Sequence, residues 1–249
     1  MNIAAKYTAN FTPISLKNMD GVKLMNRTDT KFAFSIKHLQ KIFENILPYY
    51  DILEIDNKRM HSYKSLYFDT SDRKFYNDHH NKRVNRHKIR FREYVDSGLT
   101  YLEVKLKTNK GKTVKKRLKV DKISNNLTLE QQQYIDKVIG TTLNVIPIQW
   151  INFNRITLVH KTQKERLTID INLDYYNSND NGNLRKIIIA EVKQERMSRS
   201  SDFIRIAKEM SIFPMRISKY CFSSMCLDNT LKQNRFKEKK IFINKIIQE

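Results

Sequence analysis

Arg86, Lys88, Arg90 and Arg92 are each separated by one residue, and this spacing is the first chemical signal in the chain. In an extended strand, side chains two apart share a face at roughly 7 Å, so a strand through this stretch lines its cations up in a row. Like charges held that way repel unless an anion lies along them. Arginine's planar fork matches phosphate oxygens in pairs and lysine adds a point charge, so the row suits a run of phosphates. Lys105, Lys115, Arg117, Lys119, Arg166 and Lys193 extend the pattern on other alternating stretches.

Carboxylates recur among these cations at Glu103, Asp170 and Glu191. A cationic face needs none unless they pair with bases or hold a metal. Hard divalent ions take oxygen ligands, and Mg²⁺ is usually held by one or two carboxylates plus substrate phosphates. Glu191 therefore reads as a ligand for Mn²⁺ or Mg²⁺, with Asp170 and Glu103 as further candidates, although Glu103 reads equally well as an ion-pair partner. The chain has no Gly-rich phosphate loop and no Ser/His/Asp or Cys/His arrangement. Phosphoryl transfer requires neither, because the protein's part is to position groups and neutralise charge.

The elements that must carry these residues are strands. Period-two alternation with β-branched and aromatic residues predicts strands at 28–35, 63–69, 84–94, 100–107, 113–120, 152–160, 165–173 and 186–195. Asp96-Ser97-Gly98 and Asn109-Lys110-Gly111 supply hairpin turns, and Asn181-Gly182-Asn183 supplies a turn before the last strand. Helices are expected at 36–47, 128–139 and 198–210, the last with Ser198, Ser200 or Ser201 as cap. His79 and His80 fall in a polar run that reads as an exposed loop. The expectation is a β-dominated α+β protein built on a closed eight-stranded antiparallel β-barrel with flanking helices.

Few Gly and Pro interrupt the 249 residues, so one domain is expected over 26–228, preceded by a segment at 1–25 and followed by a basic, helical tail at 229–249. The 47 Lys plus Arg against 26 Asp plus Glu give a net charge of +21, which points to a polyanionic partner. Cys221 and Cys226 lack His or Cys partners at metal-ligand spacing and read as reduced thiols. With no signal-peptide pattern and no apolar run of about 18 residues, the expected location is cytoplasmic, with any membrane association made through a membrane-protein partner.

In order along the chain, Arg27-Thr28-Asp29-Thr30-Lys31-Phe32, Ser65-Leu66-Tyr67-Phe68-Asp69-Thr70, Lys88-Ile89-Arg90-Phe91-Arg92, Leu102-Glu103-Val104-Lys105, Arg166-Leu167-Thr168-Ile169-Asp170, Ala190-Glu191-Val192-Lys193 and Ser218-Lys219-Tyr220 resemble the catalytic domain of the vacuolar transporter chaperone family of polyphosphate polymerases, in the triphosphate tunnel metalloenzyme superfamily. The resemblance implies a barrel whose charged face looks inward. It implies that Lys31, Arg90, Arg92, Lys105, Arg155, Arg166 and Lys219 bind nucleoside triphosphate and polyphosphate, and that Glu191 binds metal. Lys116 or Arg117 matches a further basic residue, and Arg117 shares its parity with Lys115 and Lys119. Many superfamily members begin with Glu-x-Glu-x-Lys; Arg27 in the first slot is similar to the polymerase branch.

The implied reaction transfers the γ-phosphoryl of ATP to inorganic polyphosphate. Arg90 and Arg92 would clamp phosphates, Lys31 and Lys219 would neutralise the transferring group, and Arg27, Lys88 and Lys193 would join the binding surface. A tripolyphosphatase or organic triphosphate hydrolase would need the same face, and a non-catalytic anion binder would need only its charge. Phe91 lies opposite the arginines rather than among them, which argues against nucleic acid.

Overall fold

The computed structural model describes residues 3–19, 28–110, 113–195, 198 and 200–248. Its centre is one sheet whose continuous path runs β2 (Thr28–Ser35), β11 (Ile187–Gln194), β9 (Glu165–Tyr176), β8 (Ile146–His160), β4 (Met60–Asp69), β5 (Arg86–Tyr94), β6 (Leu99–Lys107) and β7 (Thr113–Val120). Every neighbouring pair on this path is antiparallel. Three short strands join it: β1 (Pro13–Ile14), β3 (Tyr50–Leu53) and β10 (Asn181–Asn183).

Two expectations are corrected. The sheet has eleven strands rather than eight; those expected from alternation form the path, and β10 arises where only a turn was expected. Nor is the barrel closed, since β2 and β7 are not paired with each other among the described residues. The reason lies at both edges. Beside β2, Met215 N donates to Lys31 O at 2.7 Å and Phe32 bridges Pro214, so the free edge of β2 is already taken. β7 is exposed over most of its length and carries Lys115, Lys116, Arg117 and Lys119, and a lysine-rich edge resists further pairing.

The sheet is nevertheless curled. With strands about 4.8 Å apart, a flat sheet would hold Lys31 on β2 and Lys105 on β6 roughly 30 Å from each other. Instead the Lys31 ammonium adds to burial in depressing the pKa of both Lys88 and Lys105, so the inner faces of distant strands approach. Register shifts at Tyr67/Phe68 and at Asn152/Asn154 help to bend the long strands β4 and β8.

Apolar parity decides which face turns inward. On the convex side, Phe32, Phe34, Ile156, Leu158, Leu167, Ile169, Ala190 and Val192 pack against α2 (Leu39–Ile46) and α5 (Asp202–Glu209). Leu66, Phe68, Ile89, Phe91, Leu102 and Val104 pack against Ile135 of α4 (Leu129–Ile139). A one-residue slip of β5 would exchange Ile89 and Phe91 for Arg90 and Arg92 beneath these helices, burying charge in apolar surroundings. The concave face is therefore left to the cations.

Part of that concave face is apolar. Ala33, Ile151, Phe153, Ile187 and Ile189 share the parity of the charged rows and pack with Tyr220, Phe222 and Met225 of α6 (Lys219–Leu227) and Ile243 and Ile246 of α7 (Lys237–Gln248). Thus α6 and α7 cover this apolar part of the concave side, and the first turn of α6 stands beside the charged residues. Both cysteines lie on α6 as free thiols. His79 and His80 are corrected from loop to helix: they end α3 (Lys74–His80), where His80 is buried. Burial, then the Lys88 and Arg86 charges, push the His79 pKa down to about 2, so its ring is neutral. Among the described residues no helix is long and apolar enough to cross a membrane.

Candidate functional site

Cross-strand register brings the sequence-predicted residues onto one face. Lys31 stands opposite Glu191, and Glu191 opposite Thr168. Lys193 faces Arg166, and Arg155 faces Asp170. Arg90 faces Glu103, Lys88 faces Lys105, Glu103 faces Arg117 and Lys105 faces Lys115. Lys219 enters from the first turn of α6. The result is a trough lined by Lys31, Lys88, Arg90, Arg92, Lys105, Lys115, Arg117, Arg155, Arg166, Lys193 and Lys219. Arg27, the remaining predicted binding residue, lies outside the described residues.

The three carboxylates are distributed rather than clustered, and each anchors its own set of cations. Arg155 grips Asp170 through two parallel hydrogen bonds of 2.6 and 2.8 Å, and Lys219 Nζ donates to the same carboxylate. Arg90 donates to Glu103 Oε2 from Nε and Nη2 at 2.8 and 2.6 Å, while Lys115 pairs with Oε1. Glu191 pairs with Lys31 through one oxygen and with Lys193 through the other, the latter at 2.7 Å. Lys193 Nζ also donates to Thr168 Oγ1 at 2.8 Å.

The protonation states follow from these contacts. Burial raises the pKa of Asp170, Glu103 and Glu191, but the adjoining cations outweigh it and hold all three well below the usual carboxylate range. Lys88, Lys105, Lys115, Lys193 and Lys219 move the other way. Desolvation, then the charges of Lys31 and Lys88, push Lys105 down to about 7. Burial, only partly offset by Glu191, takes Lys193 to about 7. Lys219 and Lys115 fall to about 8 for the same first cause, against the pull of Asp170 and Glu103. Cations outnumber the three carboxylates within the trough, so each carboxylate is shared by two cations.

Sequence reading missed several contributors. Tyr67 OH accepts from Arg90 Nη1 at 2.8 Å; burial raises its pKa, but Arg90, Arg92 and Lys88 outweigh that and leave it lowered. Ser65 Oγ accepts from Arg92 Nε at 3.2 Å, and Ser218 Oγ accepts from Lys88 Nζ at 2.8 Å. Tyr67 and Ser65 share the inward parity of β4, a signal available from alternation. Ser218 stood in the sequence only as the first residue of the Ser218-Lys219-Tyr220 motif; it also caps α6 by accepting from Cys221 N.

Whether a divalent ion fits is decided by the donor set. Among the described residues no three His, Cys, Asp or Glu side chains converge as a cage. A hard ion held by one carboxylate, with phosphate oxygens and water completing its shell, remains compatible with such a set. Glu191 suits that arrangement: it is ionised, and its oxygens are held by two lysines that a phosphate can draw away.

Comparison with known proteins agrees with this geometry. A putative adenylate cyclase from Bacillus halodurans aligns over 78% of this chain and 96% of its own, with a TM-score of 0.52 at 12% identity. A putative adenylyl cyclase from Hippeastrum, described as having a dominant triphosphatase activity, aligns over 82% of this chain and 97% of its own, with a TM-score of 0.52 at 13% identity. These likenesses show that the chain shares the fold of these two proteins. No curated protein sequence matches the chain. The VTC domain matches residues 26–227, the span that contains every strand of the sheet except β1, and with it the chain belongs to the VTC domain family.

Proposed function

We propose that the protein is a polyphosphate polymerase that transfers the γ-phosphoryl group of ATP to the end of a polyphosphate chain. The observation that carries this reading is the concave face itself. Rows of Lys and Arg run along several strands, and the few carboxylates among them are already clamped, leaving cations for a linear polyanion.

In the reaction, an oxygen of the acceptor's terminal phosphate forms a bond to the γ-phosphorus of ATP. The bond from that phosphorus to the β,γ-bridging oxygen breaks, and ADP leaves with the electron pair. Arg90 and Arg92 hold phosphate oxygens on β5. Lys31, Lys193 and Lys219 exchange their carboxylate partners for phosphate and offset charge around the migrating group. Lys88, Lys105, Arg155 and Arg166 extend the binding surface along the chain. Mn²⁺ or Mg²⁺, held by Glu191 with phosphate oxygens, would supply further charge neutralisation when bound.

The test is incubation of the purified chain with ATP and Mn²⁺ or Mg²⁺, followed by gel analysis. A ladder of polyphosphate chains and ADP are expected; orthophosphate without polymer overturns the reading. The second reading, hydrolysis of a triphosphate, is favoured by the triphosphatase activity ascribed to the Hippeastrum neighbour. It uses the same trough with water as nucleophile, and the same assay identifies it.

A further inference from the structure

We infer that Arg117 and Tyr101 form a stacking platform for the base of a nucleoside triphosphate at the lip of the trough. The inference rests on the reading of ATP as substrate and adds a site for the part of ATP that is not phosphate.

Register sets Arg117 of β7 opposite Glu103 of β6, so an ion pair between them is the arrangement to expect. Glu103 is instead occupied by Arg90 on one oxygen and Lys115 on the other. The Arg117 guanidinium lies over the Tyr101 ring, 4.7 Å from its centroid. Arg117 is exposed and Tyr101 half-buried, so this pair is open to a ligand. Arg92 and Arg155 also lie over aromatic rings, those of Tyr63 and Phe153, but Arg92 is buried and Arg155 is committed to Asp170.

Tyr101 also belongs to a continuous aromatic series. Tyr94 meets it edge-on at 6.0 Å, Tyr63 lies 5.1 Å from Tyr94, and Phe153 stacks on Tyr63 at 5.1 Å with an interplanar angle of 4°. The series crosses β6, β5, β4 and β8 near the Asp96-Ser97-Gly98 hairpin. Phosphate groups are recognised by charge and N–H donors and gain nothing from ring planes. A purine is flat and stacks on both aromatic rings and guanidinium planes.

The position fits a nucleotide as well as the chemistry does. Arg92 faces Tyr101 across β5 and β6, and Arg90, the next inward residue of β5, faces Glu103. A nucleotide whose base rests on the platform therefore presents its phosphates first to Arg92 and then to Arg90. The polymer, which has no base, would pass the platform without using it.

The experiment measures binding of ATP and of inorganic tripolyphosphate to the full chain by calorimetry, in the wild type and in Arg117→Lys, Tyr101→Leu and Tyr101→Phe. Arg117→Lys keeps the charge and removes the plane; Tyr101→Phe keeps the plane and removes the hydroxyl. The ratio of ATP to tripolyphosphate affinity should fall about tenfold in Arg117→Lys and in Tyr101→Leu, the scale of one lost base stack, and stay at the wild-type value in Tyr101→Phe. An unchanged ratio in Arg117→Lys overturns the platform, whether both ligands weaken together or neither does. Should Tyr101→Leu fail to fold, the two conservative variants decide. Because the readout is binding, it is independent of whether polymer or orthophosphate is formed. Failure of the polymerase reading and failure of the platform are therefore separate results.

Discussion

The phenol of Tyr220 donates to the buried carboxylate of Asp69, tying the first turn of α6 to the end of β4. Asp69 also accepts from the backbone N–H of Thr70, Phe75 and Tyr76 at 2.8, 2.8 and 2.9 Å, so one side chain both starts α3 and holds α6. The two residues preceding Tyr220 face the trough, Lys219 on Asp170 and Ser218 on Lys88. Tyr220→Phe should cost about 1–2 kcal/mol in denaturant unfolding through the lost buried hydrogen bond. It should also lower turnover on the order of tenfold by loosening Lys219. A fall in stability with unchanged kcat would confine the pair to a structural role.

Polyanion binding should take up protons near neutral pH. Lys105 and Lys193 sit at about 7, and Lys115 and Lys219 at about 8, so at pH 8 the ligand-free trough has shed part of its charge. A bound phosphate chain favours the charged lysines and raises those values, so affinity should weaken as pH rises from about 6 to 9. Titrations with tripolyphosphate at pH 8 in two buffers of different ionisation enthalpy should show net proton uptake, and Lys105→Arg should reduce it. The stability of the free protein runs the opposite way. Folded pKa values below the unfolded lysine value mean that the unfolded chain binds more protons between about pH 7 and 10, so these groups make stability rise with pH across that window.

Glu191→Gln should separate binding from turnover. It frees Lys31 and Lys193 from their shared partner, so tripolyphosphate affinity should hold or increase. Turnover should drop on the order of 100-fold if Glu191 holds the divalent ion. A metal titration of activity that is unchanged by the substitution would remove Glu191 from that role.

Much of this site was legible in the sequence because strand parity is a strong signal. Arg90 and Arg92 could not face the helices while Ile89 and Phe91 did, so the shared face of the cations followed from alternation, whereas its inward direction was what the family resemblance implied. Closure of the barrel was not legible, because it depends on Pro214 and Met215, distant in sequence, occupying the edge of β2. Asp69 lies within a matched motif, yet its role was not legible, since its donors come from residues 1, 6, 7 and 151 positions away. Arg117 could be placed on the correct face, but its turn towards Tyr101 follows from Lys115 having taken Glu103, a competition that spacing does not encode.

The helix α4 offers a control remote from the trough. Thr128 Oγ1 accepts from Gln131 N at 3.2 Å while Gln131 Oε1 accepts from Thr128 N at 3.1 Å, a reciprocal capping box. Thr128→Ala should cost about 1 kcal/mol of stability, read as a lower denaturant midpoint, with tripolyphosphate affinity unaltered. A parallel loss of affinity would mean that α4 supports β5 and β6 more directly than its packing through Ile135 suggests.

Glu103, Asp170 and Glu191 are in effect counter-ions that the chain carries with it. At Lys31, Arg90, Lys115, Arg155, Lys193 and Lys219 an incoming anion meets cations already paired, and there it must win an exchange against a tethered rival that never diffuses away. A lone chloride or orthophosphate wins at most one such exchange and surrenders its own freedom to do so. Linked phosphates win several exchanges for a single loss of translational freedom. On the proposed reading, the ion pairs that quiet the trough would thereby make it a discriminator of chain length.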